Sequence, residues 1–306
     1  VDAYLGNSYL RLGKQQIVWG EADGLKVLDL VNPQSFREFI LDEFEDSRIP
    51  LWSAKWEVPL GEVWNAQLLL IPDQTYHHVP EDGLFAPTSP DLVPSPPAGA
   101  QIIVTEPEVP DNTFSDADAG AQLSAYLDGW DVTFNYLYHY YDAPVVSLER
   151  SPAETRIETD FRRTHTVGGT VSNAFGDFTL RAEAGYSTDR YFIADDPSDR
   201  NGLVKADDLS YVVGLDWMGL RDTLISAQLF QSWADVGDRA TRDRVETDVT
   251  LLAQRMLAND TLELSALAIH DIDRGDGVVT GEISYAYQAN LRLRLEVNVF
   301  YGSKAG

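Results

Sequence analysis

Asp177-Phe178-Thr179-Leu180-Arg181-Ala182-Glu183-Ala184-Gly185-Tyr186-Ser187 is the stretch that decides the fold class of this chain. Its even positions are apolar, and its odd positions are polar or glycine. Successive side chains of a strand point to opposite faces, so the alternation predicts a strand with one apolar face and one polar, partly charged face. The same rule holds elsewhere. Leu291, Leu293, Leu295, Val297 and Val299 alternate with Arg292, Arg294, Glu296 and Asn298. Trp52, Ala54, Trp56 and Val58 stand against Ser53, Lys55 and Glu57, and Leu123, Ala125 and Leu127 against Gln122, Ser124 and Asp128. Helical periodicity is nearly absent.

Spacing adds a second signal. Strand pairs are expected at about 51–60/63–71, 121–130/131–141, 164–175/177–187, 207–217/222–233, 244–257/260–271 and 277–288/291–301. Tight turns join them, at Pro59-Leu60-Gly61, Gly129, Gly176-Asp177, Gly219 to Asp222 and Asn259-Asp260. Longer connections separate the pairs at about 20–50, 72–120, 142–160, 189–206 and 234–243, and only 272–276 is brief. Short turns at one end and long loops at the other are the pattern of a transmembrane β-barrel. A soluble sandwich matches strand by strand, but a dozen long strands in up-and-down order with no blade-length repeat suit neither a Greek key nor a propeller. Aromatics also crowd strand ends (Trp52, Trp64, Trp130, Tyr136, Tyr138, Tyr140, Tyr186, Trp217, Trp233, Tyr301), where interfacial girdles belong.

Composition narrows the classes further. The 306 residues are 44% hydrophobic, which excludes wholesale disorder, and no run approaches the length of a transmembrane helix. The lack of cysteine excludes disulfides, thiolate metal sites and cysteine nucleophiles. A formal charge of −26 repels phosphate backbones, so nucleic acid is not an expected partner. Val1-Asp2-Ala3-Tyr4 has no signal-peptide character, so for an exported protein this sequence is expected to begin after the signal, or later still. The reading is thus all-β, an antiparallel up-and-down transmembrane barrel. About thirteen strands and a stub at 3–6 are legible, and even strand numbers predict about 14–16 in a single domain over 1–306 that lacks terminal strands.

Two insertions stand out. In 20–50, Asn32 reads as an N-cap, Pro33 as the first helical residue, and Phe36, Phe39 and Ile40 as a short apolar stripe. The expectation is a helix that plugs the lumen or packs at the mouth. The segment 72–120 holds nine prolines and many acids, and reads as an exposed loop. Its Asp111, Asp116 and Asp118 allow a calcium reading, although a solvated acidic loop explains them as well.

Motifs for chemistry are weak. His77-His78 lacks a third spaced ligand, and Asp271-Ile272-Asp273-Arg274-Gly275-Asp276-Gly277 lacks the terminal Glu of an EF-hand loop. His139, His165 and His270 lie in strands, with no serine or acid placed beside them for a membrane hydrolase. No catalytic residue, metal or cofactor is therefore expected. Inward charges are more informative. Lys55, Glu57, Asp128, Asp131, Arg181, Glu183, Asp208, Asp216, Glu246, Asp248, Glu263, Glu282, Arg292, Arg294 and Glu296 share the polar parity. Charges facing lipid cost a few kcal/mol each, so one parity holding them implies a watery or self-paired interior. Residues proposed to line or constrict it are Arg11, Lys14, Glu21, Arg37, Glu38, Asp42, Glu43, Arg48, Arg181, Glu183, Arg292 and Arg294.

The segment Leu10-Arg11-Leu12-Gly13-Lys14-Gln15-Gln16-Ile17-Val18-Trp19-Gly20-Glu21, followed by Val31-Asn32-Pro33, resembles a domain-of-unknown-function family of proteobacterial outer-membrane proteins. That family shows R-L-G-[KR]-Q-x-[IV]-x-W-G-E before a lumenal or mouth segment containing N-P, and Phe300-Tyr301-Gly302-Ser303 resembles its penultimate region. The resemblance implies a bacterial outer-membrane location and movement of a hydrophobic small molecule or lipid. Members are often encoded beside a resistance-nodulation-division-type permease and a periplasmic lipid-carrier-like protein. Expected partners are membrane lipid and lipopolysaccharide, a small-molecule solute and envelope transport components. The expected function is a passive channel for a small hydrophobic or amphipathic solute, narrowed by the inserted segment. Its rivals are a surface adhesin binding through long loops, and a lipid hydrolase.

Overall fold

The computed structural model describes residues 1–37, 47–79, 101–105, 109–150, 154–196 and 202–302. Their strands are β1 (Asp2–Leu5), β2 (Ser8–Gln15), β3 (Leu51–Leu60), β4 (Trp64–Ile71), β5 (Gln101–Val104), β6 (Asp118–Leu127), β7 (Trp130–Tyr140), β8 (Val145–Arg150) and β9 (Glu154–Asp160). They continue as β10 (Arg163–Phe175), β11 (Phe178–Ile193), β12 (Leu203–Trp217), β13 (Thr223–Ala234), β14 (Val245–Leu257), β15 (Leu262–Asp271), β16 (Gly277–Gln288) and β17 (Leu291–Tyr301). Fourteen of these form one sheet in the order β1-β2-β3-β4-β6-β7-β10-β11-β12-β13-β14-β15-β16-β17.

Each predicted hairpin is present. The β6–β7 turn is Asp128-Gly129 with φ of 49° and 90°, the doubly positive geometry that matches strand twist. Three expectations are corrected. First, the sheet is not closed: β1 and β17 are its edges, and β1, four residues long, offers little backbone for an eleven-residue partner. Second, the connections at 72–120 and 142–160 hold strands: β5 pairs in parallel with β9, which pairs with β8, in a separate three-stranded sheet. Third, no helix starts at Pro33, although Ser47, at the far end of the expected segment, is helical. Gln34 bridges Arg48 and Ser35 bridges His78 in extended conformation, so the chain after Pro33 does not enter a helix there. The remainder of that expected helix, residues 38–46, lies outside the described residues.

Burial is inverted relative to a water-soluble protein. In β11, Glu183, Gly185 and Ser187 are buried while Ala184 and Tyr186 are exposed. In β12, Asp208 and Asp216 are buried while Leu209, Val213 and Leu215 face out. Such an outer face leaves an apolar belt that water cannot satisfy, and a bilayer can. The belt has aromatic rims. Trp130, Phe175, Phe178 and Trp217 meet in cross-strand register at the short-turn end, and Tyr136, Tyr138, Tyr186 and Trp233 face out toward the other.

The non-strand segment after β2 lies against the polar face. Trp19 reaches Gln67 on β4, Glu21 reaches Thr170 on β10, and Asp23 reaches Gln228 on β13. A Cβ on Gly24 would sit 3.3 Å from Ile269 on β15. A few consecutive residues touch β4 through β15 only because the sheet curls around them.

Candidate functional site: a loop held inside the sheet

Residues 17–32 form a loop whose ends meet. The amide of Ile17 donates to Asn32 Oδ1 at 2.6 Å, and Asn32 Nδ2 donates to the Ile49 carbonyl at 2.9 Å. Asn32 therefore closes the neck of an Ω-shaped loop, a correction to its reading as an N-cap. Pro33, fully buried beside it, accepts the Ile49 amide.

Glu183 holds the body of the loop. Only 3% exposed, its carboxylate accepts the amides of Glu21 (2.6 Å), Val27 (3.2 Å) and Leu28 (3.3 Å). Three N–H donors can satisfy a buried carboxylate in the absence of water. Arg181, two residues earlier on the same face, donates to the Glu21 carbonyl and to Asp23, and reaches Asp216 at 2.9 Å. Gln228 completes the grip: Asp23 N donates to its Oε1 at 3.1 Å, and its Nε2 donates back to Asp23 at 2.9 Å. Burial raises the Glu21 carboxyl above the usual range, opposed by the Thr170 hydroxyl. Lys26 is lowered by burial, and Asp29 offsets this at 2.9 Å while also receiving Arg48 Nε at 2.8 Å.

Shape follows glycines. A Cβ on Gly120 would lie 2.7 Å from the Trp19 ring, and a Cβ on Gly185 would lie 3.0 Å from Leu28 Cδ2. Gly20 passes so near Glu183 that a Cβ would come within 3.2 Å of its carboxylate. Trp19 joins Ile17, Val31, Leu51, Leu69, Ile71 and Leu137 in an apolar cluster inside the sheet. The void left between Glu21, Arg181, Glu183 and Gln228 is about 10 Å³, close to the space of one water. Here loop and wall pack against each other directly.

Among the sequence-predicted residues, Glu21, Arg181 and Glu183 come together, and Arg48 braces the loop through Asp29. Arg11 instead binds Asp2 and Tyr9, while Arg292 and Arg294 pair with Glu263 and Glu282 near the β17 edge. Lys14 is opposite Trp52 on the outward parity, so its expected inward placement is corrected: counting back from Ser53 and Gly13 gives it the lipid face. Arg37 is exposed, and Glu38, Asp42 and Glu43 lie outside the described residues. The sequence reading missed Asn32 as a clamp, and also Asp23, Gln67 and Gln228. Asp116 and Asp118 are taken up by protein donors, including Asn112 N and Arg163, and no three-residue metal cluster occurs among the described residues. His77 accepts the Gln34 amide at 2.9 Å. His139 points inward to Thr166, whereas His165 and His270 lie on the outward parity against Tyr136 and Tyr301, so the three histidines share no site.

An antiparallel up-and-down sheet with an apolar outer face, aromatic rims, a polar inner face and a loop pinned within is, though unclosed here, the architecture of outer-membrane β-barrel proteins. The family model described as "Protein of unknown function (DUF1302)" matches residues 2–266, and the chain belongs to that family. Solved structures similar to it include the outer-membrane channel DcaP of Acinetobacter baumannii, at 9% identity and TM-score 0.47, covering 98% of this chain and 83% of that one. Another is OmpT, an outer-membrane protein of Vibrio cholerae, at 14% identity and TM-score 0.43, covering 83% and 79%. No curated protein matches the chain.

Proposed function

We propose that the protein is a passive bacterial outer-membrane channel for a small hydrophobic or amphipathic solute, narrowed by the loop 17–32. The observation behind this reading is the grip of Arg181 and Glu183 on Glu21, Asp23, Val27 and Leu28, which fixes a loop across the inner face of the sheet. Purely structural bracing of a wall needs only wall-to-wall pairs. Here the wall's buried charges are committed to a segment that closes on itself at Ile17 and Asn32, so the loop can be shortened without cutting the sheet. The test is conductance in planar bilayers of the intact protein and of a variant in which residues 19–30 are replaced by Gly-Ser-Gly. A narrowed channel gives a small conductance that rises severalfold on excision. Equal conductance in two correctly assembled proteins would remove the loop from the path.

A further inference from the structure

The inner face of β13–β16 differs from the rest of the wall. Leu252 and Leu267 are direct cross-strand partners, as are Ile269 and Val278, and all four share the inward parity with Thr250. They make an apolar strip inside an otherwise polar wall, and Gly24 at the loop tip approaches one end of it, at Ile269. At that end stands Asp248, half-buried, with Phe230 directly across on β13 and Asp271 directly across on β15. Asp271 and Glu246 are compensated by Arg274, at 3.3 and 2.8 Å. Asp248 has no hydrogen bond or ion pair among the described residues. Its cross-strand partners are a ring and a like charge, and the nearby Arg274 is already engaged by Asp271 and Glu246, an arrangement that favours a further cation.

We infer that Phe230, Asp248, Ile269, Val278, Leu252 and Leu267 form a binding site for a small amphipathic ammonium, its cationic head on Asp248 and its apolar body along the strip. From Asp248 to Leu252 the strand advances about 13 Å, room for a short alkyl body. The alternatives are disfavoured by charge and burial. An anion meets Glu246, Asp248, Asp271 and Asp273 around an Arg274 that is already paired; a neutral apolar solute leaves Asp248 without an ion pair; a hydrophilic cation leaves the strip bare. The inference deepens the channel reading by naming its solute class, and rests on it only for passage, not for binding.

Equilibrium dialysis of the detergent-solubilised protein against n-octylammonium and n-octanoate, each referred to a detergent blank, tests the site. The ammonium is expected to bind saturably at one site, weakening with salt, with the carboxylate at least tenfold weaker. Asp248→Asn should weaken ammonium binding at least tenfold, Asp248→Glu should retain it, and Ile269→Ser should weaken it severalfold. Far-ultraviolet circular dichroism and heat-modifiable mobility check that each variant is assembled. Equal binding of both probes, or undiminished binding by assembled Asp248→Asn, would overturn the inference. Conductance is measured on the same preparations: binding without conductance sinks the channel and keeps the site, whereas conductance without selective binding sinks the site and keeps the channel.

Discussion

Two arcs of one sheet have been built to opposite ends. Along β6–β13 the inward side chains are buried and mostly spoken for: Thr166, Thr170, Glu183, Asp216 and Gln228 lie below a tenth exposed and are hydrogen-bonded, and several hold the loop. Along β16–β17 inward groups such as Glu282, Arg294 and Glu296 mostly pair with their own neighbours, and the outward Leu295 is 65% exposed. Both arcs obey the same period-2 rule. What distinguishes them is who answers the inward groups: a segment 149–205 residues away in the chain, or the adjacent strand. A buried carboxylate held by three amides is stable only while those amides stay, so the first arc couples wall to loop and the second does not.

Cutting that coupling at its strongest point has the largest expected effect. Arg181→Ala strands Asp216 and Asp23 without their shared cation and should cost about 3–5 kcal/mol in a detergent urea titration. On the other arc, Arg294→Ala removes a pair 3.1 Å long whose arginine is 41% exposed, and should cost less than about 1 kcal/mol. Similar losses from both would erase the distinction between the arcs.

The face assignment common to both arcs is tested next. Leu180 lies opposite Leu215 on the lipid side of β11, and Thr179 lies opposite Asp216 on the inner side. Leu180→Arg should impair assembly by about 2–4 kcal/mol, whereas Thr179→Arg, placed beside a carboxylate, should be tolerated. Folding yield into vesicles measures both, and equal damage would mean that the two faces have been exchanged.

Space is the third difference. Gly120→Ala drives a methyl to 2.7 Å from the Trp19 ring and should cost about 1–3 kcal/mol, recovered in part by Trp19→Leu. Gly281→Ala on β16 meets nothing within 4 Å and should stay within about 0.5 kcal/mol of the parent. Thermal unfolding in detergent ranks the four proteins, and no recovery in the double variant would show that the ring is not what the glycine accommodates.

The sheet was legible because strand alternation, turn glycines and rim aromatics are local signals, each read within about a dozen residues. Arg181 and Glu183 could be assigned to the inner face by parity, and Glu21 to the same neighbourhood by the W-G-E pattern. Their meeting could not be read, since nothing local ties a carboxylate to the amides of residues about 160 positions earlier. Asn32 misled for a physical reason: Asn before Pro is a good helix start, and the same amide donates and accepts equally well across a loop neck. Lys14 misled because its strand ends at Gln15, where a long cation on the outer parity can reach the polar interface. The strands β5, β8 and β9 went unread because they are short and sit among prolines and acids.

The smallest expected effect concerns a second anchor of the inserted chain, outside the spanning strands. His77 Nδ1 accepts the Gln34 amide and so must be neutral on that nitrogen, and the ring packs edge-on against Phe36. Burial, aided by the Lys26 charge, pulls its pKa from 6.5 down to about 4. A histidine depressed in the folded state binds protons more readily once released, so its contribution is whole above pH 6.5 and is lost as pH falls from there toward 4. The Glu183 anchor tests whether the loss is local. Amide exchange at Gln34, corrected for intrinsic rate, should quicken severalfold between pH 7 and 5, while the Ala182 amide within β11 keeps its protection. His77→Gln retains an acceptor that does not titrate, and should flatten the Gln34 profile. If Gln34 exchange is equally pH-dependent in that variant, the imidazole is not the group that holds it, and the two anchors of the loop do not differ in their response to acid.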